Sequence, residues 1–235
     1  VDVGSVAIKV NDDGFYSLMI GASDMGTGCD TILAQIAADC LNCSVDDIVV
    51  HGVDTDSSPY DSGSYASSTT YLTGMAVMKT CESLKKKIIA KAAEYLECAP
   101  ELLEFDGEMV VSEDGNKSIS LKDIGNRVMC NCEDALSATE SHASPVSPPP
   151  FMVGMAEVEV DKETGAVELI DYVAVVDCGT VVNPNLARIQ TEGGLVQGIG
   201  MALYEDITYT EKGTLAQNSL MQYKLSLIHI SEPTR

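Results

Sequence analysis

Apolar and polar residues alternate along the first part of the chain, on both sides of a turn at residues 11–14. Side chains of a strand point alternately to its two faces, so the alternation over 6–20 predicts a β-hairpin. A glycine-rich loop follows at 21–28, and apolar residues then recur at helical spacing over 31–41, which predicts a helix. A short acidic turn and a strand are expected over 46–51.

The middle of the chain contains the longest helical pattern, over 73–96, which follows a polar loop at 54–68. The next apolar runs predict a hairpin over 103–111 and a short helix over 121–130. Residues 137–150 are rich in Ser, Thr and Pro, and this composition predicts a linker.

Strands are predicted over 151–160 and 167–177, joined by a turn at 161–165. Asn183-Pro184 is expected to end an extended segment, and a helix is expected over 188–204. Glycines interrupt this helix, and each interior glycine costs about 1 kcal/mol relative to alanine. They therefore require a packing or functional reason, such as close approach to a neighbour or a ligand.

This order of elements predicts an α+β fold, with mixed or antiparallel sheets and packed helices in two lobes. The first lobe is expected over 1–145, and a second lobe of sheet plus helix over 146–225. Hairpins with segregated helices are typical of this class, whereas a doubly wound sheet needs strands and helices in strict alternation.

The charge balance excludes several classes of partner. The chain has 36 acidic and 14 basic residues, a formal net charge of −22, which repels nucleic acids and anionic membranes. No apolar run approaches the roughly 18 residues of a membrane span. The first residues do not resemble a signal peptide, so we expect a cytoplasmic protein with reduced cysteines. Cys40 and Cys43 have helical spacing, and the cysteine spacings match no four-ligand template, so no metal site is predicted.

Three segments carry candidate chemistry. Residues 21–28 lie between a strand and a helix, where free N–H groups attract anions; a tight turn is the alternative. Residues 62–70 combine small residues and hydroxyls, and the alternative is a polar surface loop. Residues 183–200 combine Asn-Pro with a helix rich in glutamine and glycine, for which tight helix packing is the alternative.

In this order and at this spacing, the three segments resemble the molybdopterin-binding region of the xanthine dehydrogenase and aldehyde oxidase family. They correspond to its Glu-Met-Gly-Gln-Gly loop, its Asp-Thr…Pro…Gly-Ser loop and its Asn-Pro…Gln-x-Glu-Gly-x-x-Gln-Gly-x-Gly helix. The strands at 158–165 and 176–179 also match, and the resemblance covers roughly residues 1 to 225.

The resemblance implies a molybdenum-molybdopterin cofactor, for which a cytosine dinucleotide form is one option. Met25, Gly26 and Gly28 would line the pterin, the run Ala66–Thr69 would lie beside the molybdenum and the dithiolene, and Gln197 would hydrogen-bond the cofactor. Thr27 stands where the family usually has Gln, so one contact would differ. The predicted cofactor-binding residues are Met25, Gly26, Thr27, Gly28, Ala66, Ser67, Ser68, Thr69 and Gln197.

The family's general base is a glutamate in a Gly-Glu-Pro-Pro segment well past the Tyr-Lys that stands here at 223–224. We reject Glu232 as its counterpart because the spacing is too short and no glycine precedes it. Residues 226–235 look like a translated sequencing adapter and are set aside as a non-native tail. We therefore expect a fragment without a catalytic residue, inactive alone, and further chain upstream because no initiating Met is present.

The resemblance also implies partners and a substrate class. The partners would be the upstream half of the molybdenum subunit and the iron–sulfur and flavin (FAD) domains or subunits. The substrate would be a small molecule, an N-heterocycle such as a purine or a nicotinate, hydroxylated with water. The alternatives are a family member acting on an aldehyde, carbon monoxide or an aromatic acyl thioester, and a non-catalytic binding module of the same fold.

Overall fold

The computed structural model describes residues 2–223, and the chain divides between Ser147 and Pro148 into two units. The boundary predicted from the sequence lies two residues earlier. The helices are α1 (Cys29–Leu41), α2 (Thr69–Leu96), α3 (Leu121–Cys130) and α4 (Pro184–Leu203). The strands are β1 (Val3–Val10), β2 (Tyr16–Ile20), β3 (Ile48–His51), β4 (Leu103–Phe105), β5 (Met109–Ser112), β6 (Ser118–Ser120), β7 (Ser137–Ala143), β8 (Phe151–Val160) and β9 (Val167–Asp177). The α+β class is confirmed.

The main sheet of the first unit has the strand order β3-β2-β1-β7. β1 pairs antiparallel with β2 and β7, while β2 and β3 are parallel, so the sheet is mixed as predicted. The register places Ile8 opposite Leu18 and Val6 opposite Ile20 on one buried face. The alternation in the sequence arises because this face meets the helices.

Helices α1 and α2 cover the main sheet and pack against each other. Their buried side chains recur at helical spacing, as expected for a helix with one face in the core. The close approach of α2 to the sheet depends on small residues. A Cβ at Gly4 in β1 would lie 2.7 Å from the backbone of Thr73 in α2, so this glycine allows the helix to lie directly on the sheet.

A smaller antiparallel sheet of order β4-β5-β6 follows α2, and α3 begins directly after its last strand. The predicted hairpin and the bounds of α3 are confirmed, whereas β6 was not predicted. The Ser120 side chain accepts a hydrogen bond from the Asp123 N–H and so caps α3.

The predicted linker over 137–150 is wrong in its first half, because residues 137–143 form β7. This strand is hydrogen-bonded to β1 along its length. Ala138 is its one buried apolar residue, so an outer strand of small polar residues gives almost no apolar alternation to read. The prolines that follow it belong to the irregular segment 144–150.

The second unit contains the antiparallel pair β8 and β9 and the helix α4. Both strands are confirmed. Asn183 has an extended backbone, as predicted, but α4 begins at Pro184, four residues before the predicted start at 188. The Asn183 side chain accepts a hydrogen bond from the Leu186 N–H, and Pro184 occupies the first helical position. Proline suits that position because its missing N–H would be unpaired there anyway.

The predicted tail, residues 226–235, and Glu232 within it lie outside the described residues. No helix within residues 2–223 combines the length and the apolar character needed to cross a membrane.

Candidate functional site

The first loop, residues 21–28, connects β2 to α1 and is organised by the carboxylate of Asp24. Its Oδ1 accepts the N–H groups of Gly26 at 2.9 Å and Gly28 at 3.1 Å, and its Oδ2 accepts the Asp30 N–H at 3.5 Å. Gly26 and Gly28 have φ of 101° and 74°, which glycine adopts without steric cost. Some of the loop's donors are therefore bound within the protein.

Asp24 titrates below its ordinary range. Partial desolvation raises the pKa of this carboxyl, but hydrogen bonds from the backbone of Gly26, Gly28 and Asp30 outweigh it and lower the pKa below 3.8. Backbone donors have this effect because they favour the charged form. The first loop thus contains a stable negative charge at the start of α1, where the helix dipole favours it.

We expect Asp24→Ala to loosen the first loop and to lower the free energy of unfolding by about 0.5–2 kcal/mol, near the lower end because the group is exposed. The folded pKa is depressed, so the stabilisation is complete above pH 3.8 and is lost as the pH falls through the folded value. Urea unfolding of both proteins at about pH 7 and about pH 2 measures this. Asp12→Ala, at an exposed hairpin turn, is the control; a gap that persists in acid would contradict the assignment.

The second loop, residues 52–68, connects β3 to α2 and contains the predicted run at Ala66 and Ser67. These residues have φ of 53° and 56°, a left-handed conformation that is uncommon for residues other than glycine. Two consecutive residues of this kind turn the backbone sharply just before α2 begins. Such strained geometry is concentrated at functional sites.

A hydrogen bond joins the two loops: the Ser64 Oγ donates to the Ser23 carbonyl at 2.7 Å. The loops also approach closely at Gly21, where an added Cβ would lie 2.5 Å from the Pro59 carbonyl and 2.6 Å from the Asp61 Cβ. The structure thus brings together two segments that are far apart in the sequence. Ser64 and Ser23, the hydrogen-bonded pair, are separated by 41 residues.

Asp61 anchors the second loop to α2. Its Oδ1 accepts the Gly63 N–H at 2.8 Å, and its Oδ2 accepts the Thr73 Oγ1 at 3.2 Å. Sequence reasoning missed Asp61, Ser64 and Gly21 as positioning residues. Local patterns do not show these roles, because the Asp61 contact with Thr73, the Ser64 contact with Ser23 and the approach of Gly21 to Pro59 each join different elements.

Each loop leads into the N-terminal end of a helix. Neither Gly28 at the start of α1 nor Ser68 at the start of α2 provides a side-chain cap. The Ser68 Oγ instead donates to the Tyr65 carbonyl at 3.0 Å. Uncapped first-turn N–H groups and the positive end of the helix dipole favour an anionic group such as a phosphate. Asp24 already occupies this role at α1, so α2 is the more open of the two.

The predicted residues of the first unit lie at the surface of the joined loops. Met25 is 69% exposed, and Gly26, Ala66 and Ser67 are exposed as well. The remaining four are half-buried: Thr27, Gly28, Ser68 and Thr69. Small, accessible residues at a sharp backbone turn allow a bulky ligand to approach the backbone donors.

Gln197 lies on α4 in the second unit and is exposed. Three of the four helix glycines have no packing reason within the described residues, because an added Cβ at Gly193, Gly194 or Gly198 would meet nothing within 4 Å, whereas Gly200 is buried. Within residues 2–223, therefore, no neighbour accounts for these three.

One group of side chains in the first loop has the composition of a metal site. The ligand atoms of Asp24, Cys29 and Asp30 all lie within 4.8 Å of one another. However, both oxygens of Asp24 already accept backbone N–H groups. Desolvation and the neighbouring carboxylates raise the pKa of Cys29 to about 11, so a metal would have to displace the proton of this thiol. This set is poorly suited to a resident metal.

Comparisons with known proteins agree on one family. The family model described as a molybdopterin cofactor-binding domain matches residues 2–229. The chain is 33% identical over 225 residues to the probable hypoxanthine oxidase XdhD of Escherichia coli. It is 31% identical over 239 residues to the nicotine 6-hydroxylase large subunit of Paenarthrobacter nicotinovorans.

Solved structures give the same result. A carbon monoxide dehydrogenase from Oligotropha carboxidovorans matches 98% of the chain with a TM-score of 0.84 and 28% identity. Quinoline 2-oxidoreductase from Pseudomonas putida 86 matches 95% with a TM-score of 0.83 and 26% identity. The chain spans 29% of the length of each of these two large chains. The match to the hypoxanthine oxidase includes 95% of this chain but 23% of that protein. The match to the nicotine hydroxylase includes 97% of this chain but 29% of that subunit.

Proposed function

The chain belongs to the molybdopterin cofactor-binding domain family of the molybdenum hydroxylases, and from this premise we propose that it holds the cofactor of an oxidoreductase acting on an N-heterocycle. In this reaction an electrophilic ring carbon is hydroxylated with oxygen from water. The observation that carries the proposal is the pair of joined loops in the first unit, linked by the hydrogen bond from Ser64 to Ser23.

The chemistry of the two loops fits a molybdopterin. The group is flat, polar and anionic through its phosphate, so it needs backbone donors, small residues and positive potential. The loops offer glycines at Gly26 and Gly28, the left-handed turn at Ala66 and Ser67, and the uncapped start of α2. The negative charge of Asp24 would keep the phosphate away from α1 and favour the α2 side.

Met25, Gly26, Thr27 and Gly28 would contact the pterin, and the run Ala66–Thr69 would contact the part of the cofactor that carries the metal. Gln197 would hydrogen-bond the cofactor. When bound, the molybdenum centre supplies the two-electron redox chemistry. The chain's own residues bind and orient the group, and we assign the general base to none of the described residues.

The names of the relatives support an N-heterocyclic substrate. Hypoxanthine, nicotine and quinoline are all electron-poor nitrogen heterocycles. The second candidate, oxidation of carbon monoxide, is favoured by the structural likeness to a carbon monoxide dehydrogenase. Aldehydes and aromatic acyl thioesters are the other substrates of this alternative.

A charge substitution in the second loop tests cofactor binding. Ala66→Glu adds a carboxylate beside the proposed position of an anionic cofactor, at a cost of about 1 kcal/mol or more at close range. We expect the molybdenum and pterin content of the protein, purified from cells that make the cofactor, to fall at least about fivefold. Metal analysis and pterin fluorescence measure both quantities.

Ala99→Glu is the matched control, because Ala99 is exposed and lies outside both loops. Unchanged cofactor content in Ala66→Glu would contradict the placement. Activity of the assembled complex, with the oxygen of the product traced to isotopically labelled water, distinguishes the substrate classes. Heterocycle turnover supports the proposal, carbon monoxide oxidation favours the alternative, and a folded protein that binds no molybdenum is a non-catalytic module.

Exposed apolar residues in the second unit support further polypeptide as a partner. Phe151 and Met152 are adjacent on β8 and point to opposite faces, with exposures of 68% and 49%. Apolar side chains on both faces of a strand pair are typical of a sheet interior. We propose that the rest of the molybdenum subunit covers them and that iron–sulfur and flavin subunits complete the complex. The eight unpaired cysteines support a cytoplasmic location.

A further inference from the structure

Tyr65 stands directly before the left-handed turn of the second loop and closes this turn with its backbone. Its carbonyl accepts the Ser68 N–H at 3.3 Å and the Ser68 Oγ at 3.0 Å. Ala66 and Ser67 occupy the two central positions, and both have positive φ. Glycine, asparagine and aspartate usually occupy such positions, because other residues adopt positive φ at a steric cost. The turn therefore needs contacts from outside it in order to persist.

The Tyr65 side chain makes such a contact at the start of β1. Its Oη donates a hydrogen bond to the Asp2 Oδ1, although the two residues are 63 positions apart in the sequence. The side chain is 51% exposed, so burial holds it only in part. A hydrogen bond to a carboxylate is stronger than one between neutral groups. This bond therefore fixes the far end of the Tyr65 side chain.

A second pair of hydrogen bonds attaches the second loop to the same end of β1. The Val3 N–H donates to the Ser62 Oγ at 3.1 Å, and the Ser62 N–H donates to the Val3 carbonyl at 3.1 Å. Val3 also pairs with Ala143 of β7, so it belongs to the hydrogen-bonded main sheet. The start of β1 is thus a fixed point to which the second loop is attached, at Ser62 and again, next to the turn, at Tyr65.

We propose that Tyr65 and Asp2 are positioning residues for the cofactor, whose hydrogen bond holds the turn at Ala66 and Ser67 in the binding conformation before the cofactor arrives. The inference rests on the proposed function of the two joined loops. It assigns neither Tyr65 nor Asp2 a contact with the cofactor. A loop that is already ordered in its bound conformation raises affinity, because binding no longer has to supply the cost of ordering it.

Tyr65→Phe tests the inference, because it removes the hydroxyl and keeps the ring. In protein purified from cells that make the cofactor, we expect its molybdenum and pterin content to fall at least about threefold, the effect of losing one such hydrogen bond. Tyr60→Phe is the matched control. Tyr60 lies in the same loop, is 76% exposed, and its hydroxyl has no hydrogen-bond partner within residues 2–223. The cofactor content of this control should equal that of the natural protein.

Variants of Asp2 separate the hydrogen bond from the charge. Asp2→Ala should lower the cofactor content by the same factor as Tyr65→Phe, and the double variant should fall no further, because both changes break one bond. Asp2→Asn removes the charge but keeps an oxygen acceptor, so it should keep a cofactor content close to that of the natural protein. A residue that served only the general stability of the fold would not show this dependence on the acceptor.

A measurement without cofactor follows the turn itself. The Ser68 N–H, which the Tyr65 carbonyl accepts, should exchange with deuterium at least about threefold faster in cofactor-free Tyr65→Phe than in the cofactor-free natural protein. Tyr60→Phe should exchange at the natural rate. Mass spectrometry of the peptide that contains Ser68 measures the exchange.

Full cofactor content in Tyr65→Phe, beside a natural protein that contains molybdenum, would overturn this inference and leave the proposed function intact. Additive losses in the double variant, or unchanged exchange at Ser68, would have the same consequence. A natural protein without molybdenum would instead overturn the proposed function, and this inference with it.

Discussion

Gly21→Ala is expected to lower the molybdenum content of the protein about tenfold, because it separates the two loops that the cofactor is proposed to bridge. The new Cβ would lie 2.5 Å from the Pro59 carbonyl and 2.6 Å from the Asp61 Cβ, closer than real contacts allow. The backbone of the second loop at Pro59 and Asp61 would have to shift, at a cost of about 1–3 kcal/mol in the free energy of folding. The shift would move the Ser64 hydroxyl away from the Ser23 carbonyl, the bond that joins the loops.

Gly52→Ala is the matched control for this prediction. Gly52 lies at the start of the second loop, is exposed, and would place its Cβ 3.6 Å from the Asp30 Oδ2, an ordinary contact. Its cofactor content should equal that of the natural protein. Metal analysis gives the content, and circular dichroism shows whether the fold survives. A folded Gly21→Ala protein with full molybdenum content would show that the loop junction has no part in binding.

The largest effect on stability is expected from Leu84→Ala, about 3 kcal/mol or more in the free energy of unfolding. Leu84 is completely buried in the core beneath α2. Removing its methyl groups loses their transfer free energy and leaves a cavity that close-packed neighbours fill only in part. Urea unfolding of the protein measures the change. We expect a lower urea midpoint and an unchanged slope of the unfolding free energy against urea concentration.

Leu102→Ala makes the same chemical change at a side chain that is 48% exposed, and it should cost less than about 1 kcal/mol. Comparable losses in the two variants would contradict the assignment of α2 as the central element of the core. Cofactor content is a separate readout. We expect the Leu84→Ala protein that remains folded to keep its molybdenum, because Leu84 lies in neither loop.

Much of the fold could be predicted because it depends on local periodicity. The hairpin of β1 and β2, the bounds of α3 and the pair β8 and β9 follow from patterns within short stretches. Helix starts were predicted less well. α2 begins at Thr69 and α4 at Pro184, both earlier than predicted from apolar spacing. At α4 the Asn183 cap and the fixed backbone angle of Pro184 set the start. α2 has no side-chain cap and begins directly after the left-handed turn at Ala66 and Ser67.

The candidate site was predicted in its parts, and the residue-by-residue contacts with the cofactor stay a prediction. The sequence alone established the first loop, the second loop and the glycine-rich helix, because each is a contiguous run of unusual composition. The family followed from their order, which the comparisons confirmed.

Tertiary structure alone decided which distant residues meet. β7 forms from residues that read as a linker because its hydrogen bonds are made by backbone groups to β1, and backbone groups leave no mark in composition. The hydrogen bond from Ser64 to Ser23 and the close approach at Gly21 arise in the same way. The sequence determined the helices, the strands with apolar alternation and the loops. Their mutual contacts depend on how the helices pack on the sheet, which no local pattern encodes.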